Sequence, residues 1–382
     1  MELITKKGDI ELYEVKSKAD LGRFIKFPFS LYKNDPNWVP PLISERKVFF
    51  DTKKNPFYRS AKTRLILARR RKEFVGRIAI CINYKHNEFH QEKAGFFGFF
   101  DVIEDYQVAE LLLKVALIWI KKEGMEKILG PCNFSTNHEI GMLLEGYDSP
   151  PVVMMTYNKP YYHEFVERFG LKKEKDLLAY VIDRKADIDP RLRHVFERMK
   201  ARNGVTLRTL NVWRFDAEVD LINDLYNRAW TYNWGFVPLS KEEFQHIARD
   251  MKQILDPDMV FIAEVNGQPV GFCLSLPNIN QALKYVKNGR LFPTGLLKIL
   301  WHTKIKNKID SVRVITMGVV PEFQKRGIDT LFYIQTFDVG SRKGYQWAEL
   351  SWLLEDNEMI LRALDHMGGK PYKKYRLYGM RI

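Results

Sequence analysis

The stretch VVPEFQKRGIDT, residues 319–330, joins a β-branched run to an apolar segment with helical spacing. SVRVITMGVV leads into it, IDTLFYIQTFDVGSRKG continues it, and AELSWLL follows. This order predicts a strand, a turn, a helix and a second strand. The first N–H groups of a helix lack partners within it and carry the positive end of its dipole, so this turn suits a phosphate or pyrophosphate. Gly327 allows close backbone approach, and Lys325 and Arg326 supply positive charge. The alternative is an ordinary solvated basic turn.

Composition narrows the class of protein. A chain of 382 residues with 46% hydrophobic residues has material for packed cores and is long enough for two domains. The three cysteines, Cys81, Cys132 and Cys273, are widely spaced, which argues against a disulfide framework or a zinc site. The sequence shows no signal peptide and no apolar run that would span a membrane, so we expect a cytoplasmic protein. The net charge of +14 attracts phosphates or anionic lipids. Nucleic-acid binding ranks last because no recognisable reading module is present.

The chain contains an internal repeat. Residues 10–42 and 205–239 each read as a strand, a helix and an aromatic loop ending in Val-Pro-Leu or Val-Pro-Pro-Leu. Residues 64–83 and 260–278 read as β-hairpins, and residues 169–183 and 367–382 as a glycine-terminated helix end that runs into a last strand. We therefore expect a mixed α/β (α+β) protein of two tandem domains, residues 1–185 and 186–382. Each domain would have a central mixed, mostly antiparallel sheet flanked by helices.

Two motifs in the second half resemble the GNAT superfamily of acyl-CoA N-acyltransferases. QKRGID, preceded by VVPEF, is similar to the family's pyrophosphate turn, Gln/Arg-x-x-Gly-x-Gly/Ala, although Asp329 replaces the last small residue. NEMILRALDHMGG, residues 357–369, is similar in spacing to the segment that follows the family's fifth strand. Leu364 stands where that segment often has a catalytic tyrosine. The whole chain resembles bacterial proteins with two fused GNAT-like domains, which in turn resemble bacterial ceramide synthases.

The resemblance implies coenzyme A, acetyl-CoA or a longer acyl-CoA as co-substrate, bound by the second half without a metal. It implies that a backbone N–H at the end of the fourth strand polarises the thioester carbonyl. The residues that it assigns to the acyl-CoA site are Met317, Gly318, Val319, Gln324, Lys325, Arg326, Gly327, Ile328, Asp329, Thr330 and Asn357.

The first half departs from this pattern. After the strand AGFFGFFDVIED, the place of the phosphate turn is taken by Glu104 and Asp105, whose charge would repel a pyrophosphate. We expect this half to be a degenerate GNAT-like domain with a structural or acceptor-binding role.

Catalytic groups are harder to choose. The fourth strand carries no carboxylate, so Glu349 and Ser351 on the next strand are candidates, as are His138 and Glu139 in a polar loop of the first half. Ordinary strand and loop residues are the alternative for all four. The candidate acceptor-binding residues are Asn133, Asn137, Tyr157, Asn158, Tyr161 and Tyr162.

Residues 279–309 form an insert between two strands of the second half. The insert holds seven lysines and arginines and no acidic residue, and it includes the apolar run Leu291 to Trp301. Such a segment fits peripheral contact with an anionic membrane. A lid over the acyl-CoA site is the alternative.

Together these features predict an acyl-CoA-dependent N-acyltransferase that moves an acyl group to an amine, with a long-chain acyl group and a lipid-like amine as the narrower expectation. The competing hypothesis is a GNAT-fold binding or regulatory protein without catalysis.

Overall fold

The chain forms a mixed α/β structure in which strands and helices alternate. The computed structural model describes residues 1–202 and 204–382. The strands are β1 Glu2–Lys7, β2 Ile10–Glu14, β3 Ala61–Arg70, β4 Glu73–Asn83, β5 Ala94–Val102, β6 Lys127–Gly130, β7 Met142–Glu145, β8 Lys172–Asp183, β9 Val205–Thr209, β10 Val260–Val265, β11 Gln268–Pro277, β12 Ser311–Val319, β13 Trp347–Leu354 and β14 Lys370–Arg381. The helices are α1 Lys18–Leu31, α2 Ile43–Phe49, α3 Tyr84–His90, α4 Tyr106–Lys122, α5 Tyr162–Arg168, α6 Pro190–Arg202, α7 Phe215–Trp230, α8 Lys241–Lys252, α9 Asn280–Leu283, α10 Gly295–Leu300, α11 Ile328–Arg342 and α12 Glu358–His366.

The chain folds into two compact units. Unit 1 comprises Met1–Asp176, Leu283–Leu300 and Lys374–Ile382; unit 2 comprises Leu177–Ala282 and Trp301–Lys373. The boundaries of these units differ from those of the predicted domains, residues 1–185 and 186–382. Most of β8, which ends the first half of the repeat, belongs to unit 2, and most of β14, which ends the second half, belongs to unit 1. The boundary at 185 therefore stays a prediction about the repeat, while the compact units exchange their last strands.

Unit 1 is built on a sheet of order β1-β2-β3-β4-β5-β6-β14, with β7 also paired to β14. Its named strand pairs are antiparallel except β5 with β6. Helix α4 packs on this sheet with an apolar stripe that the sequence predicts at helical spacing. The buried residues of that stripe include Val108, Leu111, Leu112, Val115 and Trp119. The predicted hairpin at 64–83 corresponds to β3 and β4.

Unit 2 contains strands in the order β9-β10-β11-β12-β13-β8, and here β12 and β13 form the parallel pair. The predicted hairpin at 260–278 is β10 with β11. Its turn residues Asn266 and Gly267 have φ of 51° and 80°, in the left-handed region that tight hairpins require. The predicted strand, turn, helix and strand around residues 319–330 are β12, the turn, α11 and β13.

The insert follows β11 and contains two short helices, α9 and α10, and a π-helical turn at Trp301–Ile305. Its middle part is anchored within unit 1, where the Ile43 N–H donates to the Gly289 carbonyl oxygen at 2.9 Å. Gly289 has φ of 63°, and a Cβ on it would lie 2.5 Å from the Phe29 ring. Only glycine fits this contact without displacement.

A substitution in β14 can test whether this strand belongs to the core of unit 1. Tyr378 on β14 is fully buried in the core of unit 1, and its hydroxyl lies 2.7 Å from His163 Nδ1. We expect Tyr378→Ala to lower the free energy of unfolding by about 3–5 kcal/mol, as for other buried aromatics, in denaturant titrations. Arg381→Ala, at the exposed end of the same strand, is the control and should change it by less than about 0.5 kcal/mol. Equal, small effects of both changes would show that β14 is not part of the core.

Candidate functional site

Strands β12 and β13 separate partway along their length in unit 2. They pair from Ser311 with Trp347 to Val314 with Leu350, and no further pairs join them in the described part of the chain. On its other side, β12 stays paired with β11 as far as Val319. One extra residue, Ile315, is accommodated on β12 where the register with β11 shifts. Such a bulge bends the strand that carries it, and a split between β12 and β13 begins at this position.

Two backbone N–H groups of β12 point into this split. The Val320 N–H donates to the Val270 carbonyl at 2.9 Å, so Val320 and Gly318 face β11, and Met317 and Val319 face the split. Side chains satisfy both carbonyls on the split side: Trp230 Nε1 donates to the Met317 oxygen at 3.2 Å, and Gln324 Nε2 to the Val319 oxygen at 2.9 Å. The N–H groups of Met317 and Val319 are therefore placed to act as donors to a ligand in the split.

Gly318 has a different role from its two neighbours. A Cβ at this position would lie 2.8 Å from the Ala229 side chain and 3.1 Å from Trp230 Nε1. Glycine thus lets α7 pack closely on β12 and keeps Trp230 near the split. Its expected direct contact with the acyl-CoA stays a prediction.

The turn after β12 leaves the N-terminus of α11 open. Gly327 is the N-cap residue with φ of 81°, and no side chain caps the helix. Lys325 is also left-handed, with φ of 58°, and Gln324, Lys325 and Arg326 are exposed. The uncapped N–H groups lie in the first turn, at Ile328, Asp329 and Thr330. The turn therefore offers backbone donors, the positive helix end and two cations to an anion.

Two further predicted residues have structural contacts. The Arg326 guanidinium lies 4.8 Å from the centre of the Phe323 ring, which holds it beside the turn. Asn357 is the N-cap of α12, and its side chain accepts a hydrogen bond from the Ile360 N–H at 3.4 Å. Leu364, at the position of the family tyrosine, is fully buried and cannot donate a proton.

A buried polar cluster surrounds Glu349 at the apex of the split. Ser351 Oγ donates to Glu349 Oε1 at 2.5 Å, the Tyr372 hydroxyl donates to Oε2, and Arg313 Nε lies 4.0 Å from Oε1. Arg313 Nε also donates to Ser351 Oγ at 2.9 Å. Burial raises the pKa of Glu349 to about 7, although the Arg313 charge acts in the opposite direction. A carboxyl with a pKa near neutrality is suited to general base catalysis.

Sequence reasoning chose Glu349 and Ser351 but missed Arg313 and Tyr372. Arg313 is the direct partner of Glu349 on the neighbouring strand, and it is 1% exposed. One signal was available: a charged residue inside the β-branched run SVRVITMGVV needs a partner when buried. Tyr372 had no comparable signal, because β14 brings it to Glu349 through a long-range contact.

Unit 1 contains the same kind of split, and the protein fills it. Strands β5 and β6 pair in parallel from Ala94 to Phe96, and β5 then carries an extra residue between Gly98 and Asp101. The Phe99 N–H donates to Asn133 Oδ1 at 2.7 Å. A Cβ on Gly98 would lie 2.1 Å from the Cys132 carbonyl oxygen. The loop after β6 therefore occupies the space that the split of unit 2 leaves open.

A protein side chain also caps the N-terminus of α4, the helix that follows this split. Asp105 is the N-cap of α4, and its side chain accepts from the Gln107 N–H at 2.9 Å. Its carboxylate pairs with Arg70 at 2.7 Å. A protein carboxylate thus already takes the anion position at the start of α4. That this half is a degenerate GNAT-like domain stays a prediction.

The loop candidates of unit 1 are held by neighbours in the same unit. Glu139 Oε1 pairs with Arg46 at 2.5 Å, and Asn133 Nδ2 donates to Glu139 Oε2 at 2.8 Å. Burial alone would raise the pKa of Glu139, but Arg46 holds it below its ordinary value. The His138 ring packs edge-on against Phe49, with ring centres 5.3 Å apart. The Asn137 N–H donates to Ser135 Oγ at 3.1 Å.

The four remaining candidates are Tyr157, Asn158, Tyr161 and Tyr162, and each has a hydrogen-bond partner within unit 1. The Tyr161 hydroxyl donates to the Val102 carbonyl at 2.8 Å, and the Val102 N–H donates to the Tyr162 hydroxyl at 2.9 Å. Asn158 Oδ1 accepts from the Leu143 N–H at 2.6 Å. The Tyr157 hydroxyl donates to Asp35 Oδ1 at 2.9 Å. These contacts give the four side chains structural roles, and their acceptor-binding role stays a prediction.

Within residues 1–202 and 204–382, no cluster of three or more His, Cys, Asp or Glu side chains is arranged to hold a metal ion.

Comparison with known proteins finds relatives along almost the whole chain. No family model matches it. Protein YghO of Escherichia coli K12 is 38% identical over 371 residues, which cover 96% of this chain and 94% of that protein. The bacterial ceramide synthase of Caulobacter vibrioides is 36% identical over 376 residues, 97% of each chain.

Solved structures agree on the fold. A tandem GNAT protein from the clavulanic acid biosynthesis pathway superposes with a TM-score of 0.56 at 10% identity, covering 97% of this chain and 98% of the other. A GCN5-related N-acetyltransferase from Sphaerobacter thermophilus gives a TM-score of 0.51 at 14% identity, with 99% and 97% coverage. The predicted mixed α/β tandem GNAT fold is thereby confirmed. The chain belongs to the bacterial family of GNAT-fold proteins that includes YghO and the bacterial ceramide synthase.

Proposed function

We propose that this protein is an acyl-CoA-dependent N-acyltransferase that binds its acyl donor in unit 2. Membership in the family of a ceramide synthase, on a GNAT fold, supports acyl transfer to an amine and disfavours the inactive alternative. One observation carries the assignment of the donor site. The split and the helix N-terminus are open in unit 2, whereas Asn133 and Asp105 fill the equivalent positions in unit 1.

The donor would bind along β12. Its pyrophosphate would accept from the first N–H groups of α11, next to Lys325 and Arg326. Its thioester carbonyl would accept from the Met317 or Val319 N–H in the split. When an amine attacks that carbonyl, negative charge develops on the oxygen, and these fixed donors stabilise it. The C–S bond then breaks, and the CoA thiolate leaves.

Glu349 would act as the base. The attacking amine must lose a proton, and Glu349 has the pKa to accept it near pH 7. Because Glu349 is fully buried, the proton would reach it through the Ser351 hydroxyl, which it contacts. Ser351 is the first residue of β13 beyond the last pair with β12, so it lies at the apex of the split.

The acceptor proposed for this chain is a lipid-like amine. A relative that is 36% identical over almost the whole chain is named a bacterial ceramide synthase, and ceramide formation joins a long acyl chain to such an amine. The candidate acceptor-binding residues in unit 1 are Asn133, Asn137, Tyr157, Asn158, Tyr161 and Tyr162.

Peripheral membrane contact through the insert is a further part of this proposal. Among the described residues, no helix is both long and apolar enough to cross a bilayer. Five large apolar side chains of the insert are nevertheless exposed: Phe292, Leu297, Leu300, Trp301 and Ile305. Two of them, Trp301 and Ile305, lie in the same short segment of unit 2 as the exposed cations Lys304, Lys306 and Lys308. Exposed apolar groups beside cations fit the surface of an anionic bilayer.

The turn should control CoA affinity. Gly327→Val places a branched side chain at a left-handed position where the pyrophosphate approaches, and Arg326→Glu reverses a charge there. We expect calorimetry to give one CoA per wild-type chain and at least tenfold weaker binding for either variant.

Gly344→Val is the matched control for this prediction. Gly344 has φ of 91° just beyond the other end of α11, and a Cβ there meets no atom within 4 Å. The control should bear similar backbone strain and keep CoA affinity. Wild-type affinity in both Gly327→Val and Arg326→Glu would remove the turn from the donor site.

Glu349 should set the pH dependence of turnover. The base must be ionised, so kcat/KM should rise with pH up to about 7. Glu349→Gln should lower kcat by about 10²–10⁴-fold and abolish the rise of kcat/KM with pH. The exposed Glu358→Gln on α12 is the control and should change neither.

A stability measurement separates this role from a folding defect. The folded pKa of Glu349 lies above its ordinary value of 4.5, so ionisation opposes folding between about pH 4.5 and 7. The free energy of unfolding of wild type should therefore fall relative to Glu349→Gln as pH rises through that window. If kcat/KM of Glu349→Gln still rises with pH up to about 7, Glu349 is excluded as the base.

Membrane contact should depend on charge. We expect the protein to sediment with phosphatidylglycerol-containing vesicles at low salt and to be released as salt screens the attraction. Changing Lys304, Lys306 and Lys308 to Gln should remove most binding. Changing the exposed Lys53, Lys54 and Lys72 to Gln is the control of equal charge and should not.

The lid alternative gives the opposite result. Vesicles of either charge would then fail to sediment the protein, and Leu300→Asp or Trp301→Asp would instead weaken acyl-CoA binding.

A further inference from the structure

Unit 2 contains a narrow apolar cleft beneath α11. Its space of about 550 Å³ includes the open solvent at its mouth, and about 50 Å³ of it admits the centre of a water-sized sphere. One wall is the face of α11 that carries Tyr333, Thr336, Phe337 and Gly340, spaced as a single helical stripe. The opposite wall is the sheet, where Val312 and Val314 on β12 lie beside Ala348 and Leu350 on β13. We call this space the α11 cleft.

The cleft begins at the thioester position. Met317, whose N–H faces the split, also lines the cleft with its side chain. The extra residue Ile315 returns Met317 to the face that holds Val314 and Val312, so these three side chains mark one path along β12. At the other end, Tyr345, Trp347 and Arg184 line the cleft.

The cleft continues along β12 in the same direction as the CoA arm of the proposed donor. A CoA arm that starts at the N-terminus of α11 and follows β12 passes Val319 before Met317. Its thioester then lies at the mouth of the cleft, and a chain that continues in the same direction enters it toward Val314 and Val312. This argument rests on the proposed donor site.

We propose that the α11 cleft binds the acyl chain of the donor and that its ligand is an unbranched aliphatic chain of medium to long length. From Phe332 to Ser341 the cleft follows α11 for about 14 Å, at 1.5 Å per residue. Small residues at 336, 340 and 348 leave the space along this path open. The cleft wall is mostly apolar, as an aliphatic chain requires.

Chain length and cleft volume provide the test. For wild type, each methylene that enters the cleft should improve acyl-CoA affinity by up to roughly fourfold until the cleft is full. Ala348→Phe adds a ring to the sheet wall and should lower the ratio of kcat/KM for palmitoyl-CoA to that for acetyl-CoA at least tenfold. Ala217→Phe, at an exposed position of α7, should leave the ratio at its wild-type value.

A second variant acts in the opposite direction. Trp347→Ala enlarges the far end of the cleft and should move the preferred chain length upward, so the inference does not depend on the folding of Ala348→Phe. An unchanged chain-length profile in both variants, with CoA still bound and acetyl-CoA still turned over, would overturn the cleft and leave the proposed function standing. Loss of CoA binding and of all turnover in wild type would overturn the proposed function, and this inference with it.

Discussion

The early end of the pairing between β12 and β13 is the constraint on which the site depends. A parallel pair normally uses the N–H and carbonyl groups along its whole length, because an unpaired buried group costs free energy. Here the extra residue Ile315 bends β12 away after Val314, and side chains of Trp230 and Gln324 satisfy the carbonyls on that side. The protein thus compensates for the acceptors while the donors remain directed into the split. The turn, the Glu349 cluster and the α11 cleft all adjoin this opening.

The two units show opposite uses of one local geometry. Both have a bulged strand followed by a helix, and in both the bulged strand pairs with its parallel neighbour only at its start. In unit 1 the Asn133 side chain accepts from the Phe99 N–H, and Asp105 caps α4, so the donors have protein partners. Satisfied donors favour stability, whereas donors kept for a ligand favour binding. The proposed donor site in unit 2 would use donors of the second kind.

Much of the local structure follows from sequence pattern. β-branched runs around Asn266-Gly267 predict the β10–β11 hairpin, and the helical spacing after residue 327 predicts α11. Glu349 and Ser351 were also candidates from their strand alone. The filling of the unit 1 split by Asn133 could not be predicted, because it depends on a loop contact 34 residues away. Arg313 and Tyr372 became visible as partners of Glu349 only when strand register was known.

The exchange of last strands has a consequence for how the chain is made. Residues 374–382 complete the sheet of unit 1 by pairing with β6, yet they are synthesised after the segments that form unit 2. During translation β6 therefore has an unpaired edge, which is a template for aggregation unless something shields it. Most domains fold as units while the chain emerges from the ribosome. The sheet of unit 1 cannot close before residues 374–382 have been synthesised.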